Sequence, residues 1–213
     1  MRISEIFLSI QGESSWAGRP CVFVRTTGCN LRCTWCDTAY AFHGGRDLAV
    51  EEILAEVERL GGDVRLVELT GGEPLLQKDI GDLAGRLLAR DYTVLCETSG
   101  SLPVDRLPEA VVKIVDVKCP GSGESEANDW GNLARLDPGR DELKFVIAHQ
   151  EDYEWAVARL REHDLARFTV HFSPAFGELE NRTLAEWILA DRLPVRLNLQ
   201  VHKYVWEPSA RGV

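Results

Sequence analysis

The chain has 213 residues and a formal net charge of -10, with Lys+Arg 24 against Asp+Glu 34. Hydrophobic residues make up 45% and charged residues 27%, enough for an ordinary globular core, and the acidic balance argues against a broad nucleic-acid or anionic-membrane surface. No stretch approaches the roughly 20 apolar residues that span a bilayer. Met1–Ile6 also lacks a cleavage pattern, which sets the expectation of a cytoplasmic protein with one domain over residues 1–213.

In chain order, Cys21–Arg25 predicts a strand that feeds a cluster of cysteines, Cys29, Cys33 and Cys36. Val50, Ile53, Leu54, Val57 and Leu60 have helical spacing, closed by Gly61 and Gly62. Val64–Leu69 predicts a strand, followed by the turn Thr70-Gly71-Gly72-Glu73-Pro74 and a helix from about Lys78 to Arg90. Tyr92–Cys96 and Val111–Val117 predict strands, Gly121–Asn128 a loop, Glu142–Ala148 a strand and Glu151–His163 a helix. Phe168–Phe172 then predicts a strand, Leu184–Ala190 a helix and Val195–Val201 a last strand. This alternation implies an α/β protein with a largely parallel sheet. A complete eight-fold barrel takes about 250 residues, so an abbreviated or partial β/α barrel is expected. Functional groups in such sheets gather after the carboxyl ends of strands, where the cysteine loop and the Thr70–Pro74 turn both fall.

The spacing C-x3-C-x2-C lets one loop wrap one inorganic centre. In a reducing compartment these thiols read as ligands rather than disulfide partners. Two metal sites fit: a zinc ion completed by His43, or a four-iron cluster with one iron left open for a ligand. Cys21 and Cys96 read as small buried hydrophobes, while Cys119 lies in a loop-like stretch. Taken alone, Gly-Gly-Glu-Pro is as readily a turn as a site.

The cysteine triplet, with Trp35 before its last member and Gly-Gly-Glu-Pro about forty residues later, resembles the radical S-adenosylmethionine superfamily. That resemblance implies a [4Fe-4S] cluster on Cys29, Cys33 and Cys36, S-adenosylmethionine on the open iron, and a 5′-deoxyadenosyl radical as the product of its cleavage. Further motifs extend it: Gln11-Gly12-Glu13, Arg25 before Gly28-Cys29-Asn30-Leu31, Cys36-Asp37-Thr38, Glu97-Thr98-Ser99-Gly100, Asp116-Val117-Lys118 and His202-Lys203-Tyr204. Together they resemble the 7-carboxy-7-deazaguanine synthases. That family contracts the ring of 6-carboxy-5,6,7,8-tetrahydropterin to 7-carboxy-7-deazaguanine, releasing ammonia, in queuosine and deazapurine synthesis.

The resemblance implies Mg2+ on Thr38, a homodimer, recycled S-adenosylmethionine, and an electron donor such as flavodoxin or ferredoxin. It assigns the substrate to Ile10, Gln11, Gly12, Glu13, Arg25, Thr70, His202 and the terminal carboxylate of Val213, with Glu13, Arg25 and His202 as catalytic residues. For S-adenosylmethionine it implies Trp35, Cys36, Asp37, Gly71, Gly72, Glu73, Asp116, Val117, Lys118 and the loop Ser173-Pro174-Ala175-Phe176. Without the resemblance, Gln11-Gly12-Glu13 is a polar turn, Arg25 a solvated charge, Thr38 a turn residue and His202 a packing histidine. Ser14 and Ser99 stand where the family often has Gly and Asn, and the cysteine loop keeps the short spacing. Two rival functions are a glycyl-radical-enzyme activase and a non-enzymatic zinc or iron–sulfur module.

Overall fold

The computed structural model describes residues 1–213. Its elements in order are β1 (Arg2–Ile10), β2 (Pro20–Thr26), β3 (Arg46–Asp47), α1 (Val50–Gly61), β4 (Leu66–Gly71), α2 (Ile80–Leu88) and β5 (Thr93–Thr98). There follow β6 (Val112–Val117), β7 (Glu142–Ile147), α3 (Gln150–Glu162), β8 (Thr169–Pro174), α4 (Asn181–Asp191), β9 (Arg196–Leu197) and α5 (His202–Val205). One nine-stranded sheet runs β3-β1-β2-β4-β5-β6-β7-β8-β9. From β2 to β9 every neighbouring pair is parallel. The end strands β3 and β9 do not pair with each other, so the β/α barrel is partial.

Strand alternation sends successive side chains to opposite faces, and here it separates two cores. Val22, Val24, Val67, Leu69, Val94, Cys96, Leu143 and Phe145 pack outward with the buried stripes of the helices, among them Ile53, Leu83 and Leu160. Each large side chain sealed there contributes about 1.5–3 kcal/mol. Cys21, Phe23, Leu66, Leu95, Val112 and Ile114 form a smaller apolar cluster on the inner face. The same parity, carried toward the carboxyl ends, places Arg25, Glu68, Thr70, Glu97, Asp116 and Lys144 on that inner face. The interior is therefore apolar at one end of the strands and charged at the other.

Several expectations need correction. The sheet also holds β1 and β3, antiparallel additions that charged residues such as Arg2 and Glu5 hide from a pattern reading. The predicted last strand Val195–Val201 is only Arg196–Leu197. Asn198 diverts it, because its side chain donates to Ser173 Oγ at 2.9 Å and accepts from Ser14 N at 2.9 Å. Strand β5 runs past Cys96 to Thr98, carrying Glu97 into the sheet. Ser173 and Pro174 end β8 rather than sit in a loop. Cys21, Cys96 and Cys119 are all free and buried.

Candidate active site

The carboxyl ends of the strands surround a cavity of about 480 Å³. Cys29, Cys33 and Cys36 reach it from the loop after β2 and are free thiols. That loop is held by backbone: Thr34 N donates to Ser122 O at 3.1 Å, Thr34 Oγ1 donates to Gly121 O at 2.8 Å, and Gly28 N donates to Ala41 O at 2.8 Å. Burial pushes the thiols of Cys29 and Cys33 up, so binding a metal centre there releases protons. His43, the partner a zinc site requires, is exposed and does not border the cavity. No set of three or more His, Cys, Asp or Glu side chains converges at the spacing of a single ion. A four-iron cage holds its thiolates farther apart than one ion does, so three soft sulfur donors at one rim fit the cluster better than zinc.

The Thr70–Pro74 turn lies directly against this loop. A Cβ on Gly72 would stand 2.2 Å from Gly28 O, and one on Gly71, at φ +143, would stand 2.4 Å from Thr26 O. Both glycines are thus required by the approach of two backbone segments, whatever ligand lies beyond them. Glu73 departs from the expected cofactor role. Its carboxylate is fully buried and accepts from Leu75 N at 3.0 Å, Thr98 Oγ1 at 2.8 Å, Ser99 N at 2.8 Å and Ser99 Oγ at 2.6 Å. With two donors on each oxygen it has little left to offer an ammonium, and it staples the turn to the end of β5. The Val117 side chain packs in the outer core and does not border the cavity.

The other expected residues border one space. Ile10, Gln11, Gly12 and Glu13 come from the end of β1 and its turn, Arg25 from β2, Thr70 from β4, and His202 and Val213 from the C-terminal segment. His202 packs so tightly on the turn that a Cβ on Gly12 would lie 2.0 Å from its Nδ1. Arg25 is not a free surface charge: its Nε donates to Glu5 Oε1 at 2.8 Å, and Tyr40 Oη donates to the same oxygen at 2.8 Å. Its two terminal nitrogens keep their donors.

Trp35, Cys36, Asp37, Gly71 and Gly72 line the same cavity with Asp116, Lys118 and Ser173 through Phe176. Asp37 accepts from Lys203 Nζ at 2.8 Å and Gln200 Nε2 at 3.2 Å, and Thr38 Oγ1 donates to its other oxygen at 3.0 Å. Partial desolvation opposes ionisation of Asp37, but the Lys203 ammonium and these hydrogen bonds outweigh it and hold the carboxyl well below its usual range.

Pattern reading passed over two charged residues within the strands, Glu68 on β4 and Lys144 on β7. Lys144 Nζ donates to Glu13 Oε2 at 2.9 Å, bonds Glu97, and lies 3.8 Å from Asp116 Oδ2. Asp116 also receives Lys118 Nζ at 2.8 Å. Glu68 accepts from Gln11 Nε2, and Gln11 Oε1 in turn accepts from Glu13 N at 3.0 Å. Burial and the charges of Glu97 and Glu13 push the Glu68 carboxyl well up. Burial also raises Glu97, only partly opposed by Lys144. For Glu13 burial is outweighed by Lys144, the Gln200 hydrogen bond and His202, so its carboxyl stays below the ordinary range. Burial lowers His202 despite Glu13, which favours the neutral imidazole, a form that can both donate and accept. The available signal was a charge at inner-face parity in an otherwise apolar strand, as in Glu142-Leu143-Lys144-Phe145-Val146.

Residues 23–188 match the family model of the radical SAM superfamily. The chain is 50% identical to the 7-carboxy-7-deazaguanine synthase of Koribacter versatilis, over 100% of both chains. It is also 50% identical to that of Chlorobaculum tepidum, over 100% of this chain and 97% of the relative. The crystal structure of QueE from Escherichia coli superposes with a TM-score of 0.78 at 25% identity, covering 94% of each chain. Three free thiols beside a glycine turn, on a partial barrel with these relatives, place the chain in the radical SAM superfamily and, within it, in the 7-carboxy-7-deazaguanine synthase family.

Proposed function

We propose that residues 1–213 form one radical S-adenosylmethionine domain that converts 6-carboxy-5,6,7,8-tetrahydropterin to 7-carboxy-7-deazaguanine and ammonia. The observation that carries this reading is that the free thiols of Cys29, Cys33 and Cys36 share one cavity with Gln11, Glu13 and Arg25. The cofactors are a [4Fe-4S] cluster and S-adenosylmethionine, which together supply a 5′-deoxyadenosyl radical when bound. The protein binds and orients. Glu13 and the backbone of residues 10–12 accept from and donate to the flat pterin edge, and the free nitrogens of Arg25 take the substrate carboxylate. His202, packed on Gly12, hydrogen-bonds the ring from the C-terminal side, and Val213 borders the same space.

Thr38 would give Mg2+ one hydroxyl, with substrate oxygens and water completing the octahedron. That hydroxyl now donates to Asp37, so the ion would turn it. A homodimer, a flavodoxin or ferredoxin donor and a cytoplasmic setting belong to the same reading; no helix is long and apolar enough to cross a membrane.

The test is an anaerobic assay of cluster-replete protein with reductant, S-adenosylmethionine, Mg2+ and 6-carboxytetrahydropterin. The expected result is deazaguanine product in excess of 5′-deoxyadenosine, because S-adenosylmethionine is regenerated. Deoxyadenosine accumulating one per turnover favours an activase, and no deazaguanine product rejects the proposal.

A further inference from the structure

Lys144 lies mid-strand on β7, its side chain only 6% exposed. Strand parity turns it inward, and its ammonium reaches three carboxylates from separate parts of the fold. Glu13 stands in the turn after β1, Glu97 near the end of β5 and Asp116 near the end of β6. These three do not depend on it equally. Asp116 keeps Lys118 at 2.8 Å, against 3.8 Å to Lys144. Glu97 has Lys144 as its hydrogen-bond partner, and Glu13 is gripped on one oxygen by Lys144 at 2.9 Å and on the other by Gln200 at 3.0 Å.

The charge balance makes this cation matter. Four carboxyl groups, Glu13, Glu68, Glu97 and Asp116, share the interior with the ammonium groups of Lys144 and Lys118 and the guanidinium of Arg25, which is already paired with Glu5. Buried like charges without a counter-ion resolve themselves by taking up protons. A protonated Glu13 would present a donor where the ring and amino N–H groups of a pterin need an acceptor, and an unpinned one would swing toward solvent. Either change removes a hydrogen bond without altering the shape of the cavity.

We propose that Lys144 is a positioning residue for substrate, acting through Glu13: it aims the Glu13 carboxylate as an acceptor and so sets pterin affinity, while leaving S-adenosylmethionine binding to the Asp116–Lys118 side. This inference rests on the pterin reading above. It makes the inner face of β7 part of the substrate site, though that strand carries none of the family's motifs.

The test is anaerobic titration calorimetry on cluster-replete protein, with 6-carboxytetrahydropterin and S-adenosylmethionine titrated separately, alongside iron content. K144M should weaken the pterin by about 30-fold or more, the cost of one charged hydrogen bond. Its S-adenosylmethionine affinity and iron content should match wild type. E13Q should lose a comparable amount, and K144M/E13Q no more than the larger single loss, because the two residues act as one unit. If K144M does not fold, K144M/E97Q takes its place under the same criteria, since it removes one carboxylate together with the cation. Unchanged pterin affinity in the Lys144 variant, losses that add with E13Q, or an equal loss of both ligands overturns the inference alone. Wild-type protein that binds no pterin overturns the proposed function and this inference together.

Discussion

Glu73 offers the sharpest separation of a structural role from a ligand role in this site. The Glu73→Ala protein leaves four donors without their acceptor: two backbone amides, Leu75 N and Ser99 N, and the hydroxyls of Thr98 and Ser99. The Ser99 hydroxyl can turn to Ser101 Oγ, 2.8 Å away, but the amides have no such freedom. At about 1–1.5 kcal/mol for each of the three groups still stranded, the low end because water can enter the vacated volume, the expected loss is about 3–5 kcal/mol. For a chain of this size that lowers the melting temperature by roughly 6–20 °C. Glu73→Gln keeps the shape but turns an N–H pair toward two donors, so it should cost about 1.5–3 kcal/mol. Thermal unfolding of cluster-replete protein, followed by circular dichroism, measures both. The folded fraction of each variant should bind S-adenosylmethionine as wild type does. A melting temperature within about 2 °C of wild type, coupled to weakened S-adenosylmethionine binding, would refute the staple and return Glu73 to the cofactor.

Three further outcomes follow from the same geometry. Gly12→Ala places a Cβ 2.0 Å from His202 Nδ1, so it should displace the ring and weaken pterin binding as His202→Ala does, with no further loss in the double variant by calorimetry. Glu68 has its folded-state carboxyl pushed well above the ordinary value by burial. The sign is then that its contribution is fully present below the unfolded pKa, near 4.3, and is lost as pH rises through the folded value. Glu68→Gln should match wild type in acid and exceed it in melting temperature at neutral pH; a neutral-pH destabilisation contradicts the upward shift. Thr38→Ala should raise the Mg2+ concentration for half-maximal turnover by about tenfold, the loss of one modest interaction, and an unchanged Mg2+ response removes Thr38 as a ligand.

The charge network also explains why so mobile a chemical type as lysine is found inside a strand. Lys113 on β6 takes the opposite parity and meets Asp141 under the outer core, whereas Lys144 faces the cavity. Both are buried, and only parity tells them apart: one serves the packing of strand ends, the other the site.

Local order was legible in the sequence because it is set by neighbours a few positions apart. The 3.6-residue spacing of Val50, Ile53, Leu54 and Val57 determined α1, β-rich runs between helices determined the parallel sheet, and a length below the roughly 250 residues of a full barrel pointed to its partial closure. The cysteine spacing, together with the distant motifs, was enough to point to a family. Strand β1 was not legible, since its pairing with β2 and β3 is made by backbone across the sheet and its charges disguise the run. Nor was the division of labour among site residues. Whether Glu73 meets a ligand or four protein donors, whether Arg25 faces solvent or Glu5, and which carboxylate Lys144 grips are questions of long-range proximity. Residues 131 positions apart, Glu13 and Lys144, become hydrogen-bond partners only when the sheet curls. Residue order sets which chemical groups are present and which face of a strand they take, whereas their partners are set only in the folded chain, because partnership depends on distance and burial.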